Sequence, residues 1–196
     1  MMTSKAVQTR DRIVGEALSQ GTRRGYAVVS LADIAAALEL SKSAVFKHFG
    51  AKETLQLAVI EELARRFTHH VWHPARRLPA GVPRLDSIFD NWLAWISDGD
   101  GGCGIVQAQI EFDDCPGPVR AYLKKQQRVW NKTLAREFAA ASRRKAQDPM
   151  VHQFAFEFRG FMFGFNQSFR LLDDPSARAM TTRAYQALLE RAVPNR

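Results

Sequence analysis

Apolar residues recur every three or four positions along nearly the whole chain, which is the spacing of helices that bury one face. The first such stripe covers residues 6–19, and Gly21 is the predicted end of that helix. Two short helices are predicted next, over about 31–38 and 41–49. A longer helix then starts at residue 51 or 52 and carries apolar residues four apart.

The rest of the chain repeats this pattern between turns. Three prolines and a glycine within 74–83 predict a loop or hinge, and 98–102 breaks the following helix. The predicted helices of this part cover about 85–96, 103–112, 119–142, 149–172 and 175–193. No segment with the alternation of a β-strand competes with them, so the predicted fold class is all-α.

Hydroxyl side chains mark the starts of the two short helices. Ser30 precedes an acidic residue by three positions, as in a capping box, and Ser41 can cap the second helix. In the loop before them, Tyr26 and either Val28 or Val29 are predicted to enter the core.

The chain is basic, with 28 Lys and Arg against 20 Asp and Glu and a formal net charge of +8. Such a charge favours association with polyanions, including nucleic acids. Two cysteines, Cys103 and Cys115, are too few for a secreted disulfide scaffold. No apolar run has the length of a signal segment or a membrane span. We therefore expect a cytoplasmic protein with no membrane partner.

The segment 30–49 is a helix, a tight turn and a short second helix, as in helix-turn-helix proteins. There, the first residues of the second helix meet base edges in the major groove. Small hydroxyls and a lysine suit this position because they approach closely and form hydrogen bonds: Ser41, Lys42 and Ser43. Basic side chains further along suit phosphate oxygens: Lys47, His48 and Lys52.

A different interpretation of the same hairpin stays open at this point. Val45 and Phe49 are predicted to pack inward in either case. The basic face opposite them is then an ordinary solvated helix face that touches no nucleic acid.

Four stretches in the first third of the chain have a specific order and spacing: G-Y at 25–26, D-I-A-A-A at 33–37, S-K-S-A-V-F-K-H-F at 41–49 and K-E-T-L at 52–55. Together they resemble the N-terminal domain of the TetR (tetracycline-repressor-type) family of bacterial regulators. The resemblance implies a three-helix DNA-binding domain with a helix-turn-helix over 1–51 and a helical ligand-binding and dimerisation domain over 52–196. It implies base contacts for Lys42, Ser43 and Ala44. It places at or near the phosphate backbone Ser30, Ser41, Phe46, Lys47, His48 and Lys52.

Three residues depart from the family pattern. Glu39 occupies a turn position where the family usually has glycine, so the turn must accommodate a Cβ atom and a negative charge near DNA. Phe46 replaces the usual tyrosine and lacks a hydroxyl that could reach a phosphate. Ala51 replaces a capping serine or threonine, a loss of about 1 kcal/mol.

The resemblance further implies a homodimer through the last two long helices, about 149–172 and 175–193. It also implies a small-molecule effector that releases the dimer from a near-palindromic operator in double-stranded DNA. Candidate pocket residues combine aromatic walls with a few polar groups. They are Trp92, Trp95, Gln107, Gln109, Glu111, Tyr122, Gln126, Trp130, Phe158, Phe161 and Asn166.

Other chemistry is weakly represented. The run H-H-x-x-H at 69–73 lacks a fourth metal ligand, and D-G-D-G-G at 98–102 lacks the downstream glutamate of a calcium loop. No catalytic or nucleotide-binding motif occurs, so we expect no enzyme, metal or cofactor. Cys103 and Cys115 are either a redox pair or two inert thiols. The alternative function is an all-α small-molecule-binding protein or enzyme whose basic N-terminal hairpin is incidental.

Overall fold

The computed structural model describes residues 4–99 and 101–193, and these form helices joined by short turns. The helices are α1 (Ser4–Arg24), α2 (Leu31–Ala37), α3 (Lys42–Phe49), α4 (Lys52–Phe67), a π-helix (Thr68–Trp72), α5 (His73–Ala75), α6 (Val82–Asp98), α7 (Gly104–Phe112), α8 (Pro118–Ser142), α9 (Pro149–Arg170) and α10 (Ala177–Ala192). No strand occurs in the two described stretches. The predicted all-α class is confirmed.

The chain divides into two compact units. The first unit extends as far as Arg66 and also includes Gly104–Lys125, which contains α7 and the start of α8. The second unit contains Phe67–Cys103 and the chain from Gln126 onward. The predicted domains, 1–51 and 52–196, include terminal residues outside the described stretches, and their division at 51/52 stays a prediction.

Helix α1 passes through Gly21 and ends at Arg24, so the predicted end at Gly21 is wrong. Gly21 is buried because the ring of Tyr26 packs against it, and an added Cβ atom would lie 2.3 Å from Tyr26 Cδ1. Gly25 follows the last helical residue with a positive φ of 101°, the backbone conformation that commonly ends helices. Glycine at position 21 therefore permits close packing, and the glycine at 25 reverses the chain.

The core of the first unit collects the apolar faces of α1 and α4. Tyr26 is 1% exposed and Val29 is 7% exposed, whereas Val28 is 62% exposed, so Val29 is the valine that enters the core. The predicted apolar stripe of α4 is buried here as well: Leu55, Val59 and Leu63.

The long helix does not stop at Pro74, contrary to the predicted loop. The chain continues from α4 into the π-helix and then into α5, which ends at Ala75. Pro74 lies within α5, which continues the π-helix without a break, and its ring removes one N–H group from this run of helix. In the structure the loop begins after Ala75 and ends at Gly81, which has a φ of 94°.

The second unit has an aromatic core. The rings of Phe89 and Tyr185 stack with centroids 4.3 Å apart, and Phe158 lies edge-on to both. The phenylalanines of α9 lie on two faces of the helix. The buried set is Phe154, Phe158 and Phe165, while Phe156 and Phe163 are 64% and 40% exposed. One face of α9 therefore belongs to the core and the opposite face is open.

The ends of the last helices differ slightly from the predicted ones. Helix α9 ends at Arg170, two residues earlier than predicted, and α10 begins at Ala177, two residues later. Asp148 caps α9, because its carboxylate accepts a 2.8 Å hydrogen bond from the Met150 N–H. The predicted turn at 98–102 includes residue 100, which lies outside the described residues.

Candidate nucleic-acid interface

The two short helices of the first unit begin at hydroxyl caps. Ser30 Oγ accepts a hydrogen bond from the Asp33 N–H at 3.1 Å and donates one to the Asp33 carboxylate at 2.7 Å. Ser41 Oγ accepts from the Ala44 N–H at 3.1 Å. These bonds satisfy amide groups that a helix start leaves without a partner. They fix where α3 begins, and with it the side chains predicted to meet bases.

The turn between α2 and α3 contains a strained residue. Glu39 has a φ of 54°, in the left-handed region that favours glycine, at a cost of roughly 1 kcal/mol. The turn is closed by hydrogen bonds from the Glu39 N–H to the Ala36 carbonyl and from the Leu40 N–H to the Ala35 carbonyl, at 3.3 and 2.9 Å. The expectation that this turn accommodates a Cβ atom is met, and α2 and α3 remain a tight pair.

Helix α3 separates an apolar face from a polar one. Val45 is fully buried and Phe49 is 6% exposed, as predicted. The exposed residues of the helix are Lys42, Ser43, Phe46 and Lys47, and the half-buried ones are Ala44 and His48. Phe46 is 55% exposed, an unusual position for a large apolar ring in a free protein. The polar face thus combines two ammonium groups, a hydroxyl and an aromatic ring on one short helix.

Lys52 is held by the protein itself. Its ammonium donates a 2.6 Å hydrogen bond to the Ala27 carbonyl, in the loop between α1 and α2. Gln56, one turn further along α4, donates to the Tyr26 carbonyl at 3.2 Å. Since an ammonium has three donors, Lys52 can hold the loop and still meet a phosphate. The first turns of α4 therefore anchor the α1–α2 loop.

Glu111 also holds the α1–α2 loop, a role that the sequence does not predict. Glu111 Oε2, on α7, accepts a 2.7 Å hydrogen bond from the Ala27 N–H. Both backbone polar groups of Ala27 are therefore bound by charged side chains. Lys52 binds its carbonyl and Glu111 binds its N–H. No local sequence signal marks this contact, because the two residues are 84 positions apart.

The predicted pocket residues lie in both compact units. Those in the first unit are Gln107, Gln109, Glu111 and Tyr122. Those in the second unit are Trp92, Trp95, Gln126, Trp130, Phe158, Phe161 and Asn166. Asn166 Oδ1 accepts a 2.8 Å hydrogen bond from the Cys103 N–H, and Gln107 donates to the Gly21 carbonyl at 3.4 Å. These polar groups hold backbone of their own unit, and their place in a pocket stays a prediction.

A groove of about 510 Å³ lies in the first unit and is lined by α1 and α4. Its lining includes acidic and basic side chains, among them Arg10, Glu61 and Glu62. Hydrogen bonds from Arg65 and Arg66 lower the pKa of Glu62 to about 2, so this carboxylate is ionised at neutral pH. The groove shares no residue with the predicted aromatic pocket.

The histidines of the π-helix region are close together. The ring centroid of His69 lies 5.4 Å from that of His70 and 5.5 Å from that of His73. No group of three His, Cys, Asp or Glu side chains in the described stretches has an arrangement that could hold a metal ion. Cys103 is buried and Cys115 is exposed. Across residues 4–99 and 101–193, no helix is long and apolar enough to cross a bilayer.

Comparison with known protein families gives two matches along the chain. Residues 13–59 match the model of bacterial regulatory proteins of the tetR family. Residues 81–185, more than half of the chain, match the model described as tetracyclin repressor-like, C-terminal domain. The chain belongs to the TetR family. The first match contains the helix-turn-helix described above, and the second contains α7, which packs in the first unit.

Individual relatives of this TetR family member agree with the assignment. The HTH-type transcriptional regulator TcmR of Streptomyces glaucescens is 28% identical over 142 residues, which cover 69% of this chain and 61% of that protein. The match thus spans less than two thirds of that relative's length.

Two solved structures share the fold. The TetR-family regulator SCO4454 of Streptomyces coelicolor has a TM-score of 0.81 at 19% identity, over 93% of this chain and 95% of that one. AibR, solved in complex with isovaleryl coenzyme A and operator DNA, has a TM-score of 0.73 at 21% identity, over 94% and 98%. At these identities the likeness concerns the fold.

Proposed function

We propose that this TetR family member is a ligand-responsive transcriptional regulator, a repressor that binds a near-palindromic operator in double-stranded DNA as a homodimer. It acts in the cytoplasm and a small molecule releases it from the operator. The observation that carries the proposal is the polar face of α3, with Lys42, Ser43, Phe46 and Lys47 exposed on a helix fixed by the Ser41 cap. AibR supports it as a protein of the same fold in complex with both a ligand and operator DNA.

The roles on α3 follow from position along the helix. Lys42 and Ser43 stand in its first turn, where side chains of a recognition helix meet base edges. Lys47 stands in its last turn, which suits a phosphate oxygen. Selection of bound sequences from a random DNA pool tests the proposal. We expect an inverted repeat, and recovery of no preferred sequence would contradict it.

Substituting the two lysines separates base reading from charge. Lys47→Ala weakens binding to every DNA sequence alike and lowers the slope of log affinity against log salt by about one per subunit, since one phosphate contact is lost. Lys42→Ala changes which operator variants are preferred, because a base contact discriminates by about 1–3 kcal/mol. Fluorescence anisotropy over a salt series, with operator variants, measures both. Identical changes in slope and preference from the two variants would contradict the assigned roles.

The proposed dimer uses the open face of α9 together with α10. Phe156 and Phe163 are exposed there, and Met180 of α10 is 40% exposed. Gly160 and Gly164 lie on the same stretch, and a Cβ atom at either would meet nothing within 4 Å. Two glycines on the exposed face of a helix lower its stability by about 1 kcal/mol each relative to alanine. Their presence favours the close approach of another helix.

Arg159 adds a polar group to this face. Its Nε is buried and has no hydrogen-bond partner among the described residues, and its guanidinium lies 5.7 Å from the ring centroid of Phe156. Burial lowers the pKa of this arginine.

Phe163→Glu is therefore expected to convert the dimer into monomers, because it places two carboxylates in an apolar symmetric interface. Light scattering coupled to size-exclusion chromatography measures the mass at a fixed protein concentration. The control is Val129→Glu, which adds the same charge at a 55% exposed position on α8 and leaves the dimer intact. A dimer that tolerates Phe163→Glu as well as Val129→Glu would exclude this face as the interface.

A further inference from the structure

Helix α8 and the turn after it carry a concentrated positive charge. Residues 118–147 contain nine Lys and Arg residues against one acidic residue, Glu137. That balance of +8 equals the formal net charge of the whole chain, so the other residues are together neutral. Glu137 is buried and lies 2.8 Å from Arg84, so it does not neutralise the surface of α8. The basic character of the protein is therefore concentrated in this region.

Three of these cations form a row on one face of α8, within the second unit. Arg128, Lys132 and Arg136 are four residues apart, and all three are exposed. The other side of this part of the helix is buried, with Leu134 and Phe138 in the core. We name Arg128, Lys132 and Arg136 the cationic row. At a rise of 1.5 Å per residue, the row extends over about 12 Å of the helix axis.

The stability of the helix does not account for the cationic row. Among the described residues, none of the three side chains forms an ion pair. Like charges four residues apart destabilise a helix by about 0.2–0.5 kcal/mol per pair. A cation stabilises a helix in its last turn, and the last turn of α8 contains no basic residue. The row therefore costs stability in the free protein and favours an anionic partner.

The shape of this surface favours an extended polyanion. The exposed face of a helix is convex, and the groove between α1 and α4 includes none of the three residues, so a small anion would not be enclosed. A protein partner would need apolar anchors. Across the fully described helix α8, Val129 is the one large apolar side chain that is exposed. Duplex DNA carries about one negative charge per 1.7 Å of its axis, so several phosphates can lie along the row.

We propose that the cationic row is a second DNA-binding surface, which contacts the phosphate backbone of duplex DNA of any sequence. This inference goes beyond the proposed operator recognition, which concerns α3. Guanidinium and ammonium groups form charge-assisted hydrogen bonds with phosphate oxygens, and each contact releases counterions from the DNA. Since the row contacts no base, it adds affinity for DNA without changing which sequence is preferred.

The test measures binding to a duplex with a scrambled operator sequence by fluorescence anisotropy over a salt series. Arg128→Gln/Lys132→Gln removes two phosphate contacts. We expect it to lower the slope of log affinity against log salt by about two per subunit, because each contact contributes about 0.9. Arg136 is left in place because the next residue, Glu137, belongs to a buried ion pair. The preference for the selected operator over its closest variants should be retained.

Arg76→Gln/Arg77→Gln is the matched control. It removes the same charge from two exposed arginines of the second unit, in the loop after α5, and should leave the slope unchanged. Arg128→Lys/Lys132→Arg keeps both charges of the row and should also retain the slope. Equal slopes for the two glutamine variants would overturn the proposal, because net charge alone would then govern binding.

A labelled poly-glutamate of the same charge as the duplex tests for an acidic protein partner. Tighter binding of poly-glutamate than of the duplex, lost in Arg128→Gln/Lys132→Gln, would assign the cationic row to an acidic protein and overturn the proposal. Selection of operator sequences with the same preparation distinguishes the two failures. A preferred sequence together with an unchanged slope in Arg128→Gln/Lys132→Gln refutes the second surface alone, whereas recovery of no preferred sequence refutes the proposed function.

Discussion

Replacing Arg84 with methionine lowers the free energy of unfolding by roughly 3–5 kcal/mol, because it leaves a buried carboxylate without its counter-ion. Glu137 is 4% exposed, and its Oε1 lies 2.8 Å from Arg84 Nη1. Its Oε2 accepts a 3.1 Å hydrogen bond from the Gly81 N–H, and Arg84 Nη2 donates to the Leu78 carbonyl at 2.7 Å. The pair therefore also holds the loop that precedes α6. Urea denaturation at one fixed protein concentration measures the loss.

The matched control removes an arginine of the same chemistry from an exposed pair. Arg144 Nη1 lies 2.8 Å from Asp148 Oδ2, and the two side chains are 46% and 25% exposed. Arg144→Met should leave the urea midpoint nearly unchanged, because both charges are solvated. Adding Glu137→Leu to Arg84→Met should recover part of the loss, since it removes the buried charge. Equal midpoints for the two single arginine variants would show that burial does not set the strength of the Arg84 pair.

The fold class and the two faces of α3 could be predicted because they depend on nearby residues. Apolar spacing fixes which side of a helix is buried, so Val45 and Phe49 were assigned correctly. Ser30 and Ser41 could be recognised as caps because a cap binds an amide only two or three residues away. The strained turn at Glu39 followed from comparison with the family pattern rather than from periodicity.

Features that depend on distant residues could not be predicted. The sequence predicts a helix end at Gly21 because glycine commonly ends helices, whereas in the structure its lack of a side chain admits the ring of Tyr26. The sequence predicts a loop from Pro74 because proline commonly interrupts a helix, whereas the structure keeps Pro74 inside α5. The partners of Glu111 and Glu137 lie 84 and 53 residues away, and no local pattern encodes such pairs.

Replacing Glu111 with methionine should weaken operator binding about tenfold, because the loss of a hydrogen bond to a charged group corresponds to about 1.5 kcal/mol. This value is the lower end of the range for hydrogen bonds to charged groups, and we use it because Ala27 is exposed. Without Glu111 the Ala27 N–H loses its acceptor, and the α1–α2 loop is held on that side only through the Ala27 carbonyl and Lys52. A looser loop misplaces both α2 and Lys52 against DNA. Fluorescence anisotropy with the selected operator measures the change.

Glu111→Met also removes a negative charge, which changes DNA affinity independently of the hydrogen bond. The variant Glu111→Gln separates the two effects. Methionine and glutamine both remove a negative charge, which by itself strengthens binding to a polyanion. Glutamine keeps an oxygen that can accept from the Ala27 N–H, so Glu111→Gln should bind at least as tightly as the unmodified protein. The difference between the two variants therefore isolates the hydrogen bond. If Glu111→Met bound the operator as tightly as Glu111→Gln, with both proteins fully folded by circular dichroism, the loop contact would have no part in DNA binding.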